Sequence, residues 1–347
     1  MLPDHILISE NPGSDLRAFL AKKNYSKTAI LVDENTQLHC LPLIEKSVES
    51  ANLIQIKSGE SQKNIQTCQH IWNVMTNHQL DRHSVLIILG GGVLGDMGGF
   101  CAATYKRGID FILIPTTLLA QVDSSIGGKL GIDFENFKNH IGVFREPALN
   151  LIHEGFLKTL PENELRSGFA EVIKHCLISD KAMWEEIRSK GLFDQDWNKL
   201  IRHSSEFKSS IVHQDPYEKN IRKSLNAGHT IGHAIEGYFL SRGQPVLHGE
   251  AVAAGLVAES WIAAQHNLMD PQSLQETGTY ILTVFSQLRI PKADLTEIAE
   301  RCLQDKKNKG NKILCVLPNG IGRARLDVEI SLEEIVESLA FYSSLQM

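Results

Sequence analysis

The strongest constraint on the fold is an apolar β-branched run that passes directly into a glycine loop. Val85–Leu89 is followed by Gly90–Gly95, whose sequence GGGVLG matches the pattern G-x-G-x-x-G. A strand, a glycine turn and a helix start in this order let backbone N–H groups approach a pyrophosphate. The loop therefore predicts a parallel α/β sheet with a dinucleotide as the first candidate ligand, although a tight turn with close helix packing accounts for the glycines about equally well.

Further apolar runs extend this sheet. Thr28–Val32, Leu53–Ile56 and Phe111–Ile114 are rich in β-branched residues and predict buried strands, while apolar residues between 65 and 75 recur at helical spacing and predict a crossover helix. A dinucleotide site usually has an acidic residue at the end of a strand for the ribose. Asp110 precedes its strand, so we expect Asp33, which follows the first of these strands, to take that place.

The second half of the chain has a different sequence pattern. From about residue 161, helical periods dominate, broken at Gly191, Gly243–Pro245, Asp270-Pro271 and Pro291. One late β-like run, 313–317, ends in Pro-Asn-Gly and predicts a hairpin arm or an added strand. We therefore predict an N-terminal Rossmann-like parallel-sheet domain over residues 1–160, a mostly α-helical domain over residues 161–347, and a ligand cleft between them.

Composition excludes several protein classes. Thirty-five Lys and Arg against 41 Asp and Glu give a formal charge of -6, the wrong sign for a nucleic-acid partner. No apolar run reaches the roughly 18 residues of a membrane span, and the N-terminus lacks a secretion-signal pattern, so we expect a soluble, cytoplasmic protein. The six cysteines form no CxxC pair and are expected to be reduced core thiols.

Histidines and a carboxylate form a second candidate site. His229 and His233 are four residues apart, on one face of a helix, and His248 follows. Glu171 and Lys174 lie three residues apart in an otherwise apolar stretch. Three imidazoles and a carboxylate suit a zinc site with one open position, where the metal polarises an oxygen. Many histidines only make hydrogen bonds, and spacing does not decide which of the three binds metal and which transfers protons.

Basic residues gather near these motifs despite the negative net charge. They are Arg107, Lys129, Lys138, Lys174, Lys208 and Arg222. Local positive charge in an acidic protein suits a small polyanionic substrate, although most surface lysines are simply solvated. Lys129 and Lys174 are the first candidates for a site, because glycine-rich or apolar surroundings make a solvated face harder to build.

Ordered segments along nearly the whole chain resemble the 3-dehydroquinate synthase family of sugar-phosphate cyclases. The segments are Ser58–Glu60 with Lys63, Gly90–Asp96, Ala103–Gly108, Ile114–Ser125, Gly127–Lys129, Lys138-Asn139, Phe156–Pro161, Ala170–Lys174, Leu225–His233 and His248–Glu250. Two positions depart from the family pattern. Leu130 stands where Thr is usual and Ala227 where a larger residue is usual, which affects local packing more than chemistry.

The resemblance implies cofactors and residue roles. It implies NAD contacts at Asp33, Asn35, Glu60, Lys63, Gly92, Val93, Leu94, Gly95, Asp96, Thr116, Thr117, Lys129, Lys138, Phe156, Leu157, Lys158 and Thr159. It implies Glu171, His229 and His248 as ligands of Zn2+ or Co2+, with His233 left to substrate contact or proton handling. The implied substrate residues are Asp123, Lys129, Asn139, Lys174, Lys208, Arg222, Asn226, His233 and one of Lys306 and Lys307. Arg107 would reach a neighbouring subunit's site, which implies a homodimer.

The resemblance also implies a reaction. The family converts 3-deoxy-D-arabino-heptulosonate 7-phosphate to 3-dehydroquinate and phosphate in the shikimate pathway, by transient oxidation with NAD, phosphate elimination, reduction and intramolecular aldol closure. Lys129, Asn139 and His233 are expected near the phosphate, and Lys208, Arg222 and Asn226 near the carboxylate. Three alternatives are a cyclitol-forming cyclase, a metal-dependent alcohol or glycerol dehydrogenase, and a binding protein without catalysis.

Overall fold

The computed structural model describes residues 2–135, 137–304 and 312–345, apart from the side chain of residue 304. The β-strands are β1 Ile6–Ile8, β2 Thr28–Asp33, β3 Asn52–Ile56, β4 Val85–Gly90, β5 Asp110–Pro115, β6 Lys129–Phe134, β7 Phe137–Phe144, β8 Leu149–Ile152, β9 Ile313–Pro318 and β10 Ala324–Ile330. The α-helices are α1 Pro12–Lys23, α2 Glu34–His39, α3 Ile65–Asn77, α4 Gly92–Thr104, α5 Glu162–Ser179, α6 Lys181–Arg188, α7 Trp197–Gln214, α8 His229–Ser241, α9 His248–Gln265, α10 Pro271–Val284, α11 Leu295–Arg301 and α12 Leu332–Ser344.

A parallel sheet dominates the first part of the chain. Its strand order is β1-β8-β5-β4-β2-β3, and each neighbouring pair is parallel. The four strands predicted from β-branched runs are β2, β3, β4 and β5 and are confirmed, as is the crossover helix α3. The short strands β1 and β8 and the β6–β7 hairpin were not predicted.

Side chains of the sheet alternate between two apolar cores. Leu31 and Ile88 face one core with α3 and α4, whereas Ile30 and Ile87 face the other core, which includes Leu16 of α1. Burial on both faces explains why these strands are continuous apolar runs without polar alternation.

The sheet has a switch point between β2 and β4. These strands are neighbours, yet the chain leaves β2 toward β3 and leaves β4 toward β5, which lie on opposite sides. In parallel α/β sheets, ligands bind outside the carboxyl ends of the strands at such a point. The glycine loop begins at Gly90, where β4 ends.

The rest of the described chain is mainly helical. Contacts divide the chain into a first unit, Met1–Pro161 with Ile201–Ser210, and a second unit, Glu162–Leu200 with Ile211–Met347. In the second unit, α9 packs against α5, α8, α10 and α12, and β9 pairs with β10 as an antiparallel hairpin. The predicted fold class and the late hairpin arm are confirmed. The domain boundary at 160/161 stays a prediction, because a grouping by contacts does not show which segments fold independently.

Two further predictions concern thiols and membrane spans. All six cysteines are buried and free, as expected of core thiols. Among the described residues, none of the helices combines the length and hydropathy that crossing a bilayer requires.

Candidate active site

Three helices of the second unit bring a carboxylate and two histidines together. Glu171 lies on α5, His229 is the first residue of α8 and His248 is the first residue of α9. Glu171 Oε1 is 3.5 Å from His229 Nε2 and 3.6 Å from His248 Nε2. His233, one turn further along α8, has its ring centroid 5.1 Å from that of His229. One ligand atom from each of the three histidines lies within 4.8 Å of the others.

These distances fit a metal ion. A tetrahedral zinc with bonds of about 2.1 Å separates its ligand atoms by about 3.4 Å. The distances from Glu171 Oε1 to His229 Nε2 and His248 Nε2, 3.5 and 3.6 Å, are close to that value. Two imidazole nitrogens and a carboxylate oxygen are donors that zinc and cobalt accept. The described geometry therefore accommodates a divalent ion, with His233 close enough to serve as a further ligand or to act beside it.

Glycines allow α8 and α9 to come this close. A Cβ on Gly255 would lie 2.1 Å from the carbonyl oxygen of Gly228, and a Cβ on Gly232 would lie 3.0 Å from that of Ala251. Real Cβ atoms do not approach backbone atoms at 2.1 Å. The backbones of the two helices are therefore in direct contact, and the rings of His229 and His248 lie 5.3 Å apart between centroids.

A glycine also brings the backbone of α9 against that of α5. A Cβ on Gly249 would lie 2.0 Å from the carbonyl oxygen of Ser167, and the Gly249 N–H donates to Ser167 Oγ at 3.0 Å. Gly249 follows His248, and Ser167 is one helical turn before Glu171. This contact fixes where the α9 histidine stands relative to the α5 carboxylate.

Burial and charge set the protonation of the group. Burial lowers the pKa of His229, and the nearby Lys174 ammonium lowers it further, so this imidazole is neutral as metal binding requires. Burial also acts to lower the pKa of His248, but hydrogen bonds to the Glu171 and Glu236 carboxylates outweigh it and raise that pKa to about 9. A cation bound at Glu171 would have to displace this proton.

Lys174 is paired inside the protein. Its ammonium donates to Glu171 Oε2, while Glu171 Oε1 faces the histidines. Lys174 is 1% exposed and Glu171 0%. The expectation that Lys174 is hard to solvate is therefore confirmed, whereas that for Lys129 is wrong: its side chain is exposed at the first residue of β6, although Leu130 and Ile132 of the same strand are buried.

A second layer of groups orients the histidines. His229 Nδ1 lies 3.0 Å from the Ala227 carbonyl oxygen, and His248 Nδ1 lies 3.4 Å from Glu236 Oε2. An acceptor at Nδ1 keeps the proton there and leaves Nε2 free to bind metal. Glu236 lies seven residues after His229 on α8, and sequence spacing alone did not single it out.

The first unit holds the dinucleotide candidates. Asp33 ends β2 and caps α2, with Oδ1 accepting the Thr36 N–H at 2.7 Å. The glycine loop at the end of β4 leads into α4, so the strand, turn and helix that the motif requires are confirmed. A Cβ on Gly95 would meet only Leu113, at 4.0 Å. The first turn of α4 therefore has room beside Gly95 for a group that is not part of this unit's packing.

Other predicted cofactor residues lie around this loop. Asp96 Oδ2 accepts from Lys63 Nζ at 2.6 Å; burial raises the pKa of Asp96, against the pull of the Lys63 charge. Lys138 Nζ is 3.9 Å from Glu60 Oε1. Thr116 and Thr117 follow β5, where the Thr116 N–H donates to the Gly90 carbonyl at 3.1 Å. Phe156 and Leu157 are buried side chains of a 3-10 segment, Glu154–Thr159, which also carries Lys158.

Asp123 lies in a π-helical turn, Ala120–Ser124, of the first unit. Lys208 Nζ contacts both Asp123 Oδ1 and the Asp123 carbonyl oxygen at 2.8 Å, so two predicted substrate residues are paired here. Two buried amides that the sequence did not reveal fix the turn. Gln121 donates to the Pro115 and His153 carbonyls, and Asn150 donates to Ser125. Their partners are distant in sequence or on another element.

Arg222 and Asn226 lie in a loop of the second unit, before α8. Asp215 accepts the backbone N–H of Arg222 at 3.1 Å, and Arg222 Nη1 donates to the Pro216 carbonyl at 2.6 Å. Asn226 Nδ2 donates to Glu218 Oε1 at 2.6 Å. Asp215 and Glu218 were not predicted. Their acidic groups hold the loop that presents these two residues.

Arg107 ends a short 3-10 segment, Tyr105–Arg107, and Asn139 lies in β7. Arg107 and Asn139 have φ of 67° and 50°, a left-handed conformation that is uncommon outside glycine. The Asn139 N–H donates to Asp133 Oδ1 at 2.7 Å, which supports that conformation. Strained backbone of this kind is often found at functional sites. Lys306 and Lys307 lie outside the described residues.

Comparison with known proteins decides the family. The 3-dehydroquinate synthase N-terminal family matches residues 53–167, and the 3-dehydroquinate synthase C-terminal family matches residues 168–308. A 3-dehydroquinate synthase of Parabacteroides distasonis is 39% identical over 99% of this chain and 98% of its own. This chain belongs to the 3-dehydroquinate synthase family. A 3-dehydroquinate synthase of Rippkaea orientalis is 40% identical over 83% of this chain and 80% of its own.

Solved structures share the family's fold. A 2-epi-5-epi-valiolone synthase of Streptomyces hygroscopicus, solved with NAD+ and Zn2+ bound, has a TM-score of 0.87 at 23% identity, covering 99% of this chain and 97% of its own. A probable glycerol dehydrogenase of Sinorhizobium meliloti has a TM-score of 0.65 at 13% identity, covering 99% and 97%. The dehydrogenase structure is thus less similar to this chain than the valiolone synthase structure is.

Proposed function

We propose that this protein is a 3-dehydroquinate synthase, which converts 3-deoxy-D-arabino-heptulosonate 7-phosphate to 3-dehydroquinate and phosphate. The observation that carries the proposal is the convergence of Glu171, His229 and His248 in a chain of this family, with distances that suit one divalent ion. In this proposal the first unit binds NAD and the second unit binds Zn2+ or Co2+. When bound, NAD would supply reversible hydride transfer and the metal would supply Lewis acidity.

The chain's own residues bind and orient the groups involved. Glu171 and His248 hold the ion from α5 and α9, and His229 holds it from α8. The buried Lys174 ammonium pairs with Glu171 Oε2, which leaves Glu171 Oε1 directed toward His229 and His248. The neutral His229 imidazole is ready to coordinate, whereas His248 gives up its proton on binding.

Cationic and hydrogen-bond-donating side chains are proposed to recognise the two anionic groups of the substrate. Lys129, Asn139 and His233 are assigned to the phosphate, and Lys208, Arg222 and Asn226 to the carboxylate. Lys208 and Asn226 already hold acidic partners, Asp123 and Glu218. Substrate anions would compete with these carboxylates for the same donors, so binding would exchange one ion-pair or hydrogen-bond partner for another.

The protein is proposed to act as a homodimer, with Arg107 reaching the neighbouring subunit's site. Its exposed position in a left-handed turn supports this role, because the guanidinium is not committed to the core of its own unit. A cytoplasmic location accords with the free cysteines.

The experiment is phosphate release from the heptulosonate phosphate with catalytic NAD, measured before and after chelation and after Zn2+ is restored. The proposal expects release that needs both cofactors, recovers with Zn2+, and leaves no net NADH. Equal release without metal or NAD would refute it. Net NADH production with glycerol would favour a dehydrogenase, and turnover only of a sugar phosphate that lacks a carboxylate would favour a cyclitol-forming cyclase.

A further inference from the structure

Glu259 is a buried carboxylate of α9 that accepts hydrogen bonds from backbone N–H groups. Its side chain is 0% exposed. Oε2 accepts the Gly228 N–H, and Oε1 accepts the N–H groups of Thr230 and Ile231 at 3.1 and 3.3 Å. These donors lie before and after His229 in the sequence, so the carboxylate binds the backbone on both sides of a proposed metal ligand.

Helix α8 has no cap of its own. Its N-cap residue is Gly228, which has φ of 79° and no side chain to accept a hydrogen bond. The first N–H groups of a helix lack partners within the helix and need an outside acceptor when they are buried. Glu259 supplies that acceptor from 31 residues further along the chain, and its negative charge suits the positive end of the α8 dipole.

The cap joins the two helices that carry the histidines. Gly228 and Gly232 lie against the backbone of α9. These glycine contacts let α8 and α9 approach closely, but they do not select one rotation or one shift of α8 relative to α9. The hydrogen bonds that the Gly228, Thr230 and Ile231 N–H groups donate to Glu259 do select one arrangement. They fix the first turn of α8, and therefore the direction of His229, relative to α9 and His248.

We propose that Glu259 is a positioning residue for the metal group: by capping α8 from α9, it sets the relative placement of His229 and His248. The inference rests on the proposed metal binding and assigns a role to a residue that does not touch the ion. The position of an imidazole decides how well it completes a coordination sphere, so Glu259 affects metal affinity as well as stability.

The test compares Glu259→Gln and Glu259→Ala with Asp270→Ala. Asp270 is the N-cap of α10, where its Oδ1 accepts the Ser273 N–H at 2.9 Å, so its variant loses a cap on a helix without proposed ligands. Zn2+ affinity is measured by competition with a chromophoric chelator, well below the unfolding temperature of each protein. The visible absorption of the Co2+-loaded proteins reports ligand geometry independently of stability and activity.

We expect Glu259→Gln to weaken Zn2+ binding about 10-fold, since the amide keeps one acceptor oxygen, and Glu259→Ala to weaken it further. The Co2+ spectrum should change in both variants, and Asp270→Ala should match the unmodified protein. Should Glu259→Ala not fold, Glu259→Gln alone decides. Folded Glu259 variants with unchanged affinity and spectrum would overturn the positioning role while leaving the proposed function intact. Failure of the unmodified protein to bind Zn2+ would instead refute the proposed function.

Discussion

Glycines of the glycine loop and α4, in the first unit, have different neighbours from glycines of α9, in the second unit. Added Cβ atoms on the glycine loop and α4 would meet mainly side chains, such as Thr117 at Gly91 and Leu31 at Gly98, and at Gly95 only Leu113 at 4.0 Å. In the second unit, Cβ atoms on Gly249 and Gly255 would meet backbone at 2.0 and 2.1 Å. Glycine therefore leaves room beside α4 at Gly95, whereas Gly249 and Gly255 bring helix backbones into contact.

Because of this difference, glycine substitutions in the two regions should differ in their effects on ligand binding and on stability. A side chain can rotate away from a new Cβ, whereas packed helix backbone cannot move without shifting a whole element. Substitution in the loop should therefore affect a ligand before it affects stability. Substitution between α8 and α9 should affect stability and metal binding together, because the ligands stand on the contacting helices.

The largest expected effect is loss of the metal. Glu171→Gln and His248→Ala should each weaken Zn2+ binding by about 1000-fold, or about 4 kcal/mol, because each removes a ligand atom from the group. Gln is preferred to Ala at position 171, since it can still accept a hydrogen bond from the buried Lys174. Binding is measured by isothermal titration of the metal-free proteins. His213→Ala, on α7, serves as a histidine control, and full Zn2+ affinity in Glu171→Gln would exclude Glu171 as a ligand.

The next effect concerns the helix contact. Gly255→Ala should lower the free energy of unfolding by about 3 kcal/mol, because its Cβ meets the Gly228 carbonyl and nothing nearby can yield. Urea unfolding of the metal-free protein measures this. The matched control is Gly237→Ala on the same pair of helices, where the nearest atom is a guanidinium nitrogen of Arg301 at 3.7 Å. Equal stability of the Gly255 and Gly237 variants would contradict the claim that the backbone contact at Gly255 leaves no room for a Cβ between α8 and α9.

A smaller effect is expected from the second layer. Glu236→Ala should weaken Zn2+ binding about 10-fold, since His248 Nδ1 loses the acceptor that orients its ring. Glu334→Ala is a suitable control, because Glu334 accepts from His266, a histidine outside the metal group, at 2.6 Å. Chelator competition on both variants gives the comparison. Equal changes in the two would mean that Glu236 acts only through general charge or stability.

The smallest effect on the fold is expected in the loop. Gly95→Ala should leave stability unchanged or raise it by up to about 1 kcal/mol, because alanine favours a helix and its Cβ meets only Leu113 at 4.0 Å. NAD affinity should nevertheless fall at least about 10-fold if the pyrophosphate lies against α4. Fluorescence titration with NADH and thermal unfolding separate the two readouts. Unchanged NADH affinity would remove Gly95 from the proposed NAD site.

Features that depend on nearby residues were predictable from the sequence. The strands β2 to β5, the glycine loop and the helical face shared by His229 and His233 all follow from local patterns. Spacing left the choice among the three histidines open, and the family resemblance then selected His229 and His248, together with Glu171. The prediction that Lys129 lacks a solvated face was wrong, because neighbouring glycines do not reveal that the first side chain of β6 is exposed while the next, Leu130, is buried.

Features that depend on folding were not predictable in this way. Glu259 caps a helix that begins 30 residues earlier, and Asn150 holds a turn 25 residues away. Nothing in the local sequence of either residue indicates its partner. Such buried polar contacts are found only once the packing of distant segments is known, although they decide where the locally predictable residues finally stand.

The most direct test is a crystal structure of the Zn2+-loaded protein, with anomalous scattering recorded on both sides of the zinc absorption edge. The account predicts one strong peak within about 2.2 Å of Glu171 Oε1, His229 Nε2 and His248 Nε2. A zinc bound by His229, His233 and His248 with Glu171 turned away, or a peak outside this group, would contradict it.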